Sequence, residues 1–491
     1  MRRFASETVT STIKNPAVFP SKPLPSPQTV LLRKSRASPF RPRNSQLDLR
    51  QIFTPANSGR GWFVLFWIAM VCYLVRQFAI NFIETGYPIK TTWVLRLSEG
   101  VTELIMADLA VVAYSFIPLL VQRAVVRGTL EPDSMASYII QHTVQTLLLQ
   151  VVVSWLFYIE WPWVQTGVLL LHTLVIMMKM HSYTSTNREF AVKLRRRDEL
   201  IVACQAYRET DSDSCPETLS SSPPFDDTTL LDDYSQLAQW QEEIAELNSE
   251  LALGDTKYPA NVTFLNYVDY LFVPALVYEI YYPRTDKIRP EYLAEKICAT
   301  FGVFTLLHVT FENYIIPILG ELPHISMAMT ILELITPVMI AYLLVFYIIF
   351  ECICNVFAEI TRFADRNFYD DWWNSTSFDE YSRKWNKPVH YFLLRHVYLY
   401  SIDMYRFSRT SATFLTFFMS SCLHELVMAM VVGRIRMYLF LLQMAQIPLI
   451  YLSRLPWVKA RPLLGNAFFW LGMISGPPML AVLYCRDQYL S

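Results

Sequence analysis

A histidine set in the middle of an apolar run is the residue of this chain best placed to do chemistry. His424 lies in the stretch TFFMSSCLHEL at 416–426, with Ser420 one helical turn earlier on the same face and Glu425 beside it. An ionisable group at membrane depth costs on the order of 3 kcal/mol on insertion scales, so each one needs a reason. A neutral imidazole there suits a general base acting on a hydroxyl; a histidine hydrogen-bonded between helices accounts for the spacing equally well. A second polar pair lies upstream in WNKPVH at 385–390. Asn386 fits a helix N-cap with Pro388 in the first turn, which places His390 in the opening turns of that helix. Glu279, His308, Glu312 and Glu333 are further ionisable residues in apolar runs. His308 and Glu312 stand at i and i+4 and are expected to satisfy each other. Glu279 and Glu333 are expected to bind neighbouring helices.

These side chains need elements to hold them, and composition says which kind. Of 491 residues, 53% are hydrophobic, 14% aromatic and 17% charged. A soluble chain carries charge at roughly a quarter of its positions. The excess excludes disorder, a collagen-like repeat and a small disulfide scaffold, and points to the membrane. A span needs about 20 mainly apolar residues. Such runs occur at 61–83, 101–121, 138–159, 163–180, 297–319, 325–354, 411–432 and 465–484, with shorter ones at 267–282 and 438–451. The reading is an all-α polytopic membrane protein of about nine transmembrane helices. Eight cysteines are scattered without metal-ligand spacing, so reduced thiols and no metal site are expected.

The formal net charge of −1 conceals segregation. Residues 1–60 hold eleven basic residues against Glu7 and Asp48, with eight prolines, and read as a disordered basic arm. Residues 198–250 hold fourteen acidic residues against Arg208 alone. By the positive-inside rule the arm places the N-terminus in the cytosol, and after four spans the Lys193, Arg195, Arg196, Arg197 cluster returns to that side. The first long apolar run begins at Gly61, so no signal peptide is expected, and the arm's prolines oppose a mitochondrial leader. The organisation is then an arm at 1–60, a first group of transmembrane helices at 61–180, an acidic cytosolic loop at 181–259 and a catalytic core at 260–491. Within the loop, Trp240, Ile244, Leu247 and Leu251 make one helical stripe, expected to pack on the protein or the membrane surface. The aromatic and acidic block at 362–406 suits helices at the membrane face or a loop buried at membrane depth.

Three motifs in order make the chain recognisable. FYDDWWN at 368–374, WNKPVH at 385–390 and SSCLHE at 420–425 resemble the FYxDWWN, WNxPVH and SSxxHE runs of the membrane-bound O-acyltransferase family, in the branch that acylates sterols and diacylglycerol. MKMHSY at 178–183, YPRT at 282–285, FLLRHVY at 392–398 and GNAFFWLG at 465–472 are similar to its fungal sterol enzymes. GPP at 476–478 stands where diacylglycerol enzymes usually carry GQP, while MAQIP at 444–448 is similar to those enzymes. The resemblance covers about residues 60–491.

The resemblance implies acyl transfer from acyl-CoA to a sterol 3-hydroxyl, ergosterol or a relative, in the endoplasmic reticulum membrane. His424 would be the general base, Asn386 a donor near the reacting carbonyl, and His390 and Glu425 would support the polar pocket. Ser420 would line the acyl-CoA path. Phe368, Tyr369, Asp371, Trp372, Trp373 and Asn374, with Arg383, Tyr398 and Arg409, would form the cytosolic mouth for the CoA part. Acyl-CoA is then a co-substrate and no cofactor is implied. The partners are fatty acyl-CoA, sterol and membrane lipids, a homo-oligomer (dimer or tetramer) is expected, and no nucleic acid is. Diacylglycerol acylation is the alternative within the family. A transporter is the alternative outside it, disfavoured because no paired inverted segments with Gly/Pro breaks are found.

Overall fold

A computed structural model describes residues 40–48, 60–90, 95, 98–159, 161–213, 227–253 and 256–490. Most of the arm, and the Ser/Asp-rich centre of the acidic stretch at 214–226, lie outside the described residues. The helices in chain order are α1 (Arg60–Thr85), α2 (Val101–Tyr114), α3 (Ile117–Val126), α4 (Met135–Ile159), α5 (Trp163–Asp213), α6 (Asp227–Leu251), α7 (Phe264–Phe272), α8 (Pro290–Thr310), α9 (Ile316–Gly320) and α10 (Met327–Tyr347). They continue as α11 (Cys354–Ile360), α12 (Phe378–Trp385), α13 (Lys387–Leu393), α14 (Tyr400–Met404), α15 (Arg409–Val432), α16 (Tyr438–Met444), α17 (Gln446–Ser453), α18 (Pro456–Lys459) and α19 (Pro462–Leu490). A two-residue hairpin, Ala252–Leu253 with Thr256–Lys257, is the one sheet among the described residues.

Eight helical stretches among the described residues are long and apolar enough to cross a membrane, and Tyr438–Ser453 is a shorter apolar helix. The expected run at 267–282 is not a span. It forms only α7, after which the chain continues without regular structure to 283, with Val273, Val277, Tyr278 and Tyr282 buried. Irregular backbone at that depth needs its carbonyls satisfied. Lys179, fully inside α5, does this by donating Nζ to the carbonyls of Tyr270 (2.9 Å), Val273 (2.7 Å) and Ala275 (2.9 Å). Ser182, one turn on, accepts the Tyr278 amide at 2.8 Å. The MKMHSY motif is therefore the buckle of this segment.

The loop expected from His181 does not start there. α5 runs 51 residues to Asp213, about 75 Å at 1.5 Å per residue and far more than the bilayer core. Residues 181–213 contain no glycine or proline to stop it. α6 folds back along it, with Lys193 on Glu250 (3.1 Å), Arg196 on Glu243 (3.2 Å) and Tyr207 edge-on to Trp240. The Trp240, Ile244, Leu247 and Leu251 stripe thus has a protein partner, and Leu251 is buried.

Residues 40–48 were expected in the solvated arm. Instead they lie against the core: the Arg43 amide donates to the Ala364 carbonyl (3.0 Å) and the Arg366 amide to the Arg43 carbonyl (2.8 Å). Polar backbone on both segments meets across this pairing, which composition alone does not reveal.

His308 and Glu312 do not pair. A π-turn, Phe311–Ile315, follows α8 and breaks the i,i+4 register. His308 Nε2 meets the Lys90 carbonyl at 3.0 Å, and Glu312 Oε2 is buried without a hydrogen-bond partner. Glu279 pairs with Arg395, as a charge buried between elements must. Glu333 is exposed on α10, and no hydrogen bond or ion pair among the described residues holds it.

Candidate active site

The signature segment is built by a change of direction after α11. Residue 362 takes a positive φ of 56°, and the chain leaves the helix as an extended strip that reaches Trp372–Asn374, a single 3-10 turn. Two cross-links tie this strip to the end of α12 and to the WNKPVH run that follows. The Asp370 amide donates to the Lys384 carbonyl (2.9 Å), and the Lys387 amide to the Phe368 carbonyl (3.0 Å). Lys387 Nζ then clasps both Asp370 carboxylate oxygens at 2.8 and 2.9 Å. Motifs separated in sequence by ten residues become one unit.

Inside that unit the aromatic rings form a core. Trp372 sits edge-on to Trp385 at 4.8 Å and beside Trp470 at 5.8 Å; Phe346 meets Tyr369 at 4.8 Å; Trp385 stacks on Tyr342 at 4.9 Å. Edge-to-face contacts at these separations are the favoured geometry for aromatic pairs. Phe368, Tyr369 and Trp372 are 3% exposed or less. The expectation that all of 368–374 lines an open mouth is therefore corrected. Those three are packed, while Asp371, Trp373 and Asn374 keep accessible surface. Asp371 pairs with Lys384 at 2.9 Å, which together with Asn374 outweighs its partial desolvation and holds its pKa below the usual value.

GNAFFWLG supplies the lid of this core. Asn466 Nδ2 donates to the carbonyls of Trp373 and Ser375, both at 2.9 Å, and Trp470 Nε1 donates to Trp373 at 3.0 Å. A Cβ on Gly472 would stand 2.5 Å from the Phe378 ring, and one on Gly465 would stand 2.8 Å from the Thr376 carbonyl. Only glycine lets α19 come that close to the signature.

Asn386 caps α13 as its spacing predicts: Oδ1 accepts the Val389 amide at 3.2 Å. With the oxygen so engaged, the carboxamide NH₂ is left to donate. His390, one turn on, is partly buried. Desolvation, helped by the nearby charges of Arg383 and Lys387, pushes its pKa down to about 4. A histidine in the unfolded chain protonates near 6.5, so the unfolded state binds the extra proton between about pH 6.5 and about pH 4, and stability falls as pH drops through that window. Thermal unfolding of purified protein is expected to be more pH-sensitive across the window than that of His390→Asn. Equal slopes would mean that another group carries the effect.

His424 lies on α15, where its Nδ1 meets the Ser420 carbonyl at 2.8 Å and the Ser420 hydroxyl only at 3.5 Å. A carbonyl only accepts, so Nδ1 carries the hydrogen and Nε2 keeps its lone pair. The ring keeps accessible surface. No hydrogen bond or ring contact among the described residues joins His424 to Asn386 or His390.

Glu425 points elsewhere. Its Oε1 accepts the Met437 amide (2.6 Å) and the Arg436 amide (3.3 Å), and Oε2 accepts the Phe440 amide (3.1 Å) and the Tyr484 hydroxyl (3.1 Å). Expected to support the polar pocket, it is instead the cap that holds the start of α16, where Met437 adopts a φ of 62°. Arg383 is bound to Asp379 at 2.8 Å on α12, Arg409 is exposed at the start of α15, and Tyr398 is half-buried in a π-turn at 394–399.

Charges that sequence inspection passed over underlie the signature. Glu351, completely buried, accepts the Tyr369 hydroxyl at 2.6 Å and faces Lys296 at 3.6 Å. Glu359, also completely buried, binds Arg289 at 2.9 Å and Arg366. Glu351 and Lys179 both fall inside apolar runs, so the cost of burying a charge was the signal available for finding them.

The described helices, with the His424 ring accessible on one span and a braced aromatic signature between spans, place the chain in the class of polytopic membrane proteins. Comparison with known proteins gives the class its family. The model of MBOAT, the membrane-bound O-acyltransferase family, matches residues 139–486, and the chain belongs to that family and is an acyltransferase. "Probable sterol O-acyltransferase 2" of Schizosaccharomyces pombe is 36% identical over 472 residues, covering 92% of this chain and 93% of that protein. "Probable sterol O-acyltransferase 1" of the same organism is 33% identical over 465 residues, covering 91% and 85%. "Diacylglycerol O-acyltransferase 1" of Dictyostelium discoideum is 35% identical over 240 residues, covering 48% and 38%.

Proposed function

We propose that this protein esterifies a sterol, transferring a fatty acyl group from acyl-CoA to the 3-hydroxyl. The observation that carries the chemistry is the His424 ring, whose Nδ1 is committed to the Ser420 carbonyl at 2.8 Å and whose Nε2 is free at an accessible face of α15. Nε2 takes the proton of the sterol hydroxyl as its oxygen attacks the thioester carbonyl. The C–S bond breaks, the imidazolium returns the proton to the leaving thiolate, and steryl ester and free CoA result. The Asn386 NH₂, oriented by the cap that its oxygen makes, donates to the carbonyl oxygen as negative charge develops there. His390, kept neutral by its low pKa, adds polarity without a competing cation. The accessible part of the signature, with Arg409 and Ser420, receives acyl-CoA. The protein works in the endoplasmic reticulum membrane with its N-terminus in the cytosol, as a dimer or tetramer.

The sterol is favoured as acceptor by the near full-length similarity to proteins named for it, against 48% of this chain for the diacylglycerol relative. Purified protein given labelled oleoyl-CoA and either ergosterol or diacylglycerol is expected to place label in steryl ester. Label in triacylglycerol alone would overturn the choice of acceptor.

A further inference from the structure

We propose that residues 40–48 form a strap that positions the signature segment for acyl-CoA, with Arg43 and Ser45 as positioning residues; the kinetic part of this proposal rests on the acyl-transfer reading above. The strap holds the segment at two points. At the first, Arg43 is bidentate on Asp365, with Nε at 2.8 Å from one carboxylate oxygen and Nη2 at 2.6 Å from the other, and the Arg41 amide donates to the same carboxylate at 3.0 Å. Asp365 is 4% exposed and stands three residues before Phe368. The parallel backbone pairing of Arg43 with its flanks, Ala364 and Arg366, fixes the register. At the second point, the Ser45 hydroxyl donates to Glu351, the same buried carboxylate that accepts the Tyr369 hydroxyl. One carboxylate is thus shared by the strap and the signature.

Phe40 joins the two ends to the rest of the core. Its ring lies edge-on to Tyr282 at 5.3 Å, Phe363 at 5.7 Å and Tyr391 at 6.5 Å. It also forms one wall of a cleft whose other walls include Phe368, Pro388 and Tyr391. The signature is extended backbone and a single 3-10 turn, without a helical ladder of its own, so neighbours must fix its position. Planar bidentate pairing supplies orientation as well as attraction, which a point charge does not.

Two readouts test this on the full chain. Hydrogen exchange over residues 363–370 is independent of substrate, and steady-state kinetics separate the KM for oleoyl-CoA from the KM for the acceptor. Arg43→Glu, which sets like charges together, is expected to speed exchange in that segment and to raise the KM for oleoyl-CoA by about tenfold, short of the about 100-fold that a 1 Å misplacement can cost. The acceptor KM should stay within about twofold, because the Arg43 ion pair acts on Asp365, three residues before the signature. Arg43→Lys should fall between Arg43→Glu and wild type in both readouts, and Ser45→Ala should give a smaller shift in the same direction. Unchanged exchange in Arg43→Glu would overturn the strap, and faster exchange with an unchanged KM for oleoyl-CoA would overturn its positioning role. Equal rises in both KM values, with early thermal unfolding, would reduce it to a fold contact. Should the wild type acylate diacylglycerol instead of sterol, the acceptor reading fails while the same comparison, run with that acceptor, still decides the strap.

Discussion

His424→Ala is expected to lower acyl transfer by about 10³-fold, within the range that a lost general acid–base contributes, while the protein inserts and melts as wild type does. The second half of that expectation comes from the ring's surroundings. It is exposed on α15 and its one short hydrogen bond among the described residues is with the Ser420 carbonyl of its own helix, so its removal opens no packed cavity and orphans no buried donor. Surface substitutions of this kind shift stability by about 0.5 kcal/mol or less. Labelled-ester formation per mole of purified protein, measured beside a thermal melt, checks both halves. Near wild-type turnover in the variant would remove His424 from the chemistry. A loss of turnover matched by a loss of folded protein would make the residue structural.

Glu425→Ala is expected to do the reverse, costing about 3 kcal/mol of stability before it costs chemistry. The substitution strips the acceptor from the Met437 and Phe440 amides and from the Tyr484 hydroxyl together, and each buried polar group left unpaired costs about 1–3 kcal/mol. It also releases Met437 from a left-handed conformation that a non-glycine residue adopts only when its surroundings hold it. Glu425→Gln keeps one acceptor and should lose about half as much. The measurement is thermal unfolding in detergent, paired with the specific activity of the fraction that stays folded. If Glu425→Ala melted as wild type does and yet turned over no substrate, the carboxylate would belong to the reaction and the capping account would be wrong. The neighbours His424 and Glu425 thus separate: the ring of one stays accessible, and the carboxylate of the other is buried and holds the following helix.

Sequence alone carried the membrane body and the motifs. Apolar runs of about 20 residues mark spans because water is absent from the bilayer core, and that constraint acts on each segment by itself. Asn386 as a cap before Pro388 was legible for the same reason, since capping is a local exchange between a side chain and the amide three residues on. Length and hydropathy failed at 267–282, where Lys179 from another helix satisfies the carbonyls and lets the chain run irregular. They failed again at 181–213, where the helix continues under charges read as a loop.

What the tertiary structure decided is the direction each polar side chain takes. Sequence spacing placed His424 and Glu425 together, yet adjacent helical residues point about 100° apart, so they face different partners. The seven signature residues were singled out as one block, and packing split them into a buried aromatic core and an accessible edge. The strap at 40–48 and its hold on Glu351 were invisible beforehand, because residues some 300 positions apart meet only after folding. Residue types fixed which groups this chain has for acyl transfer; long-range pairing of buried polar groups, which no local pattern encodes, fixed where they stand.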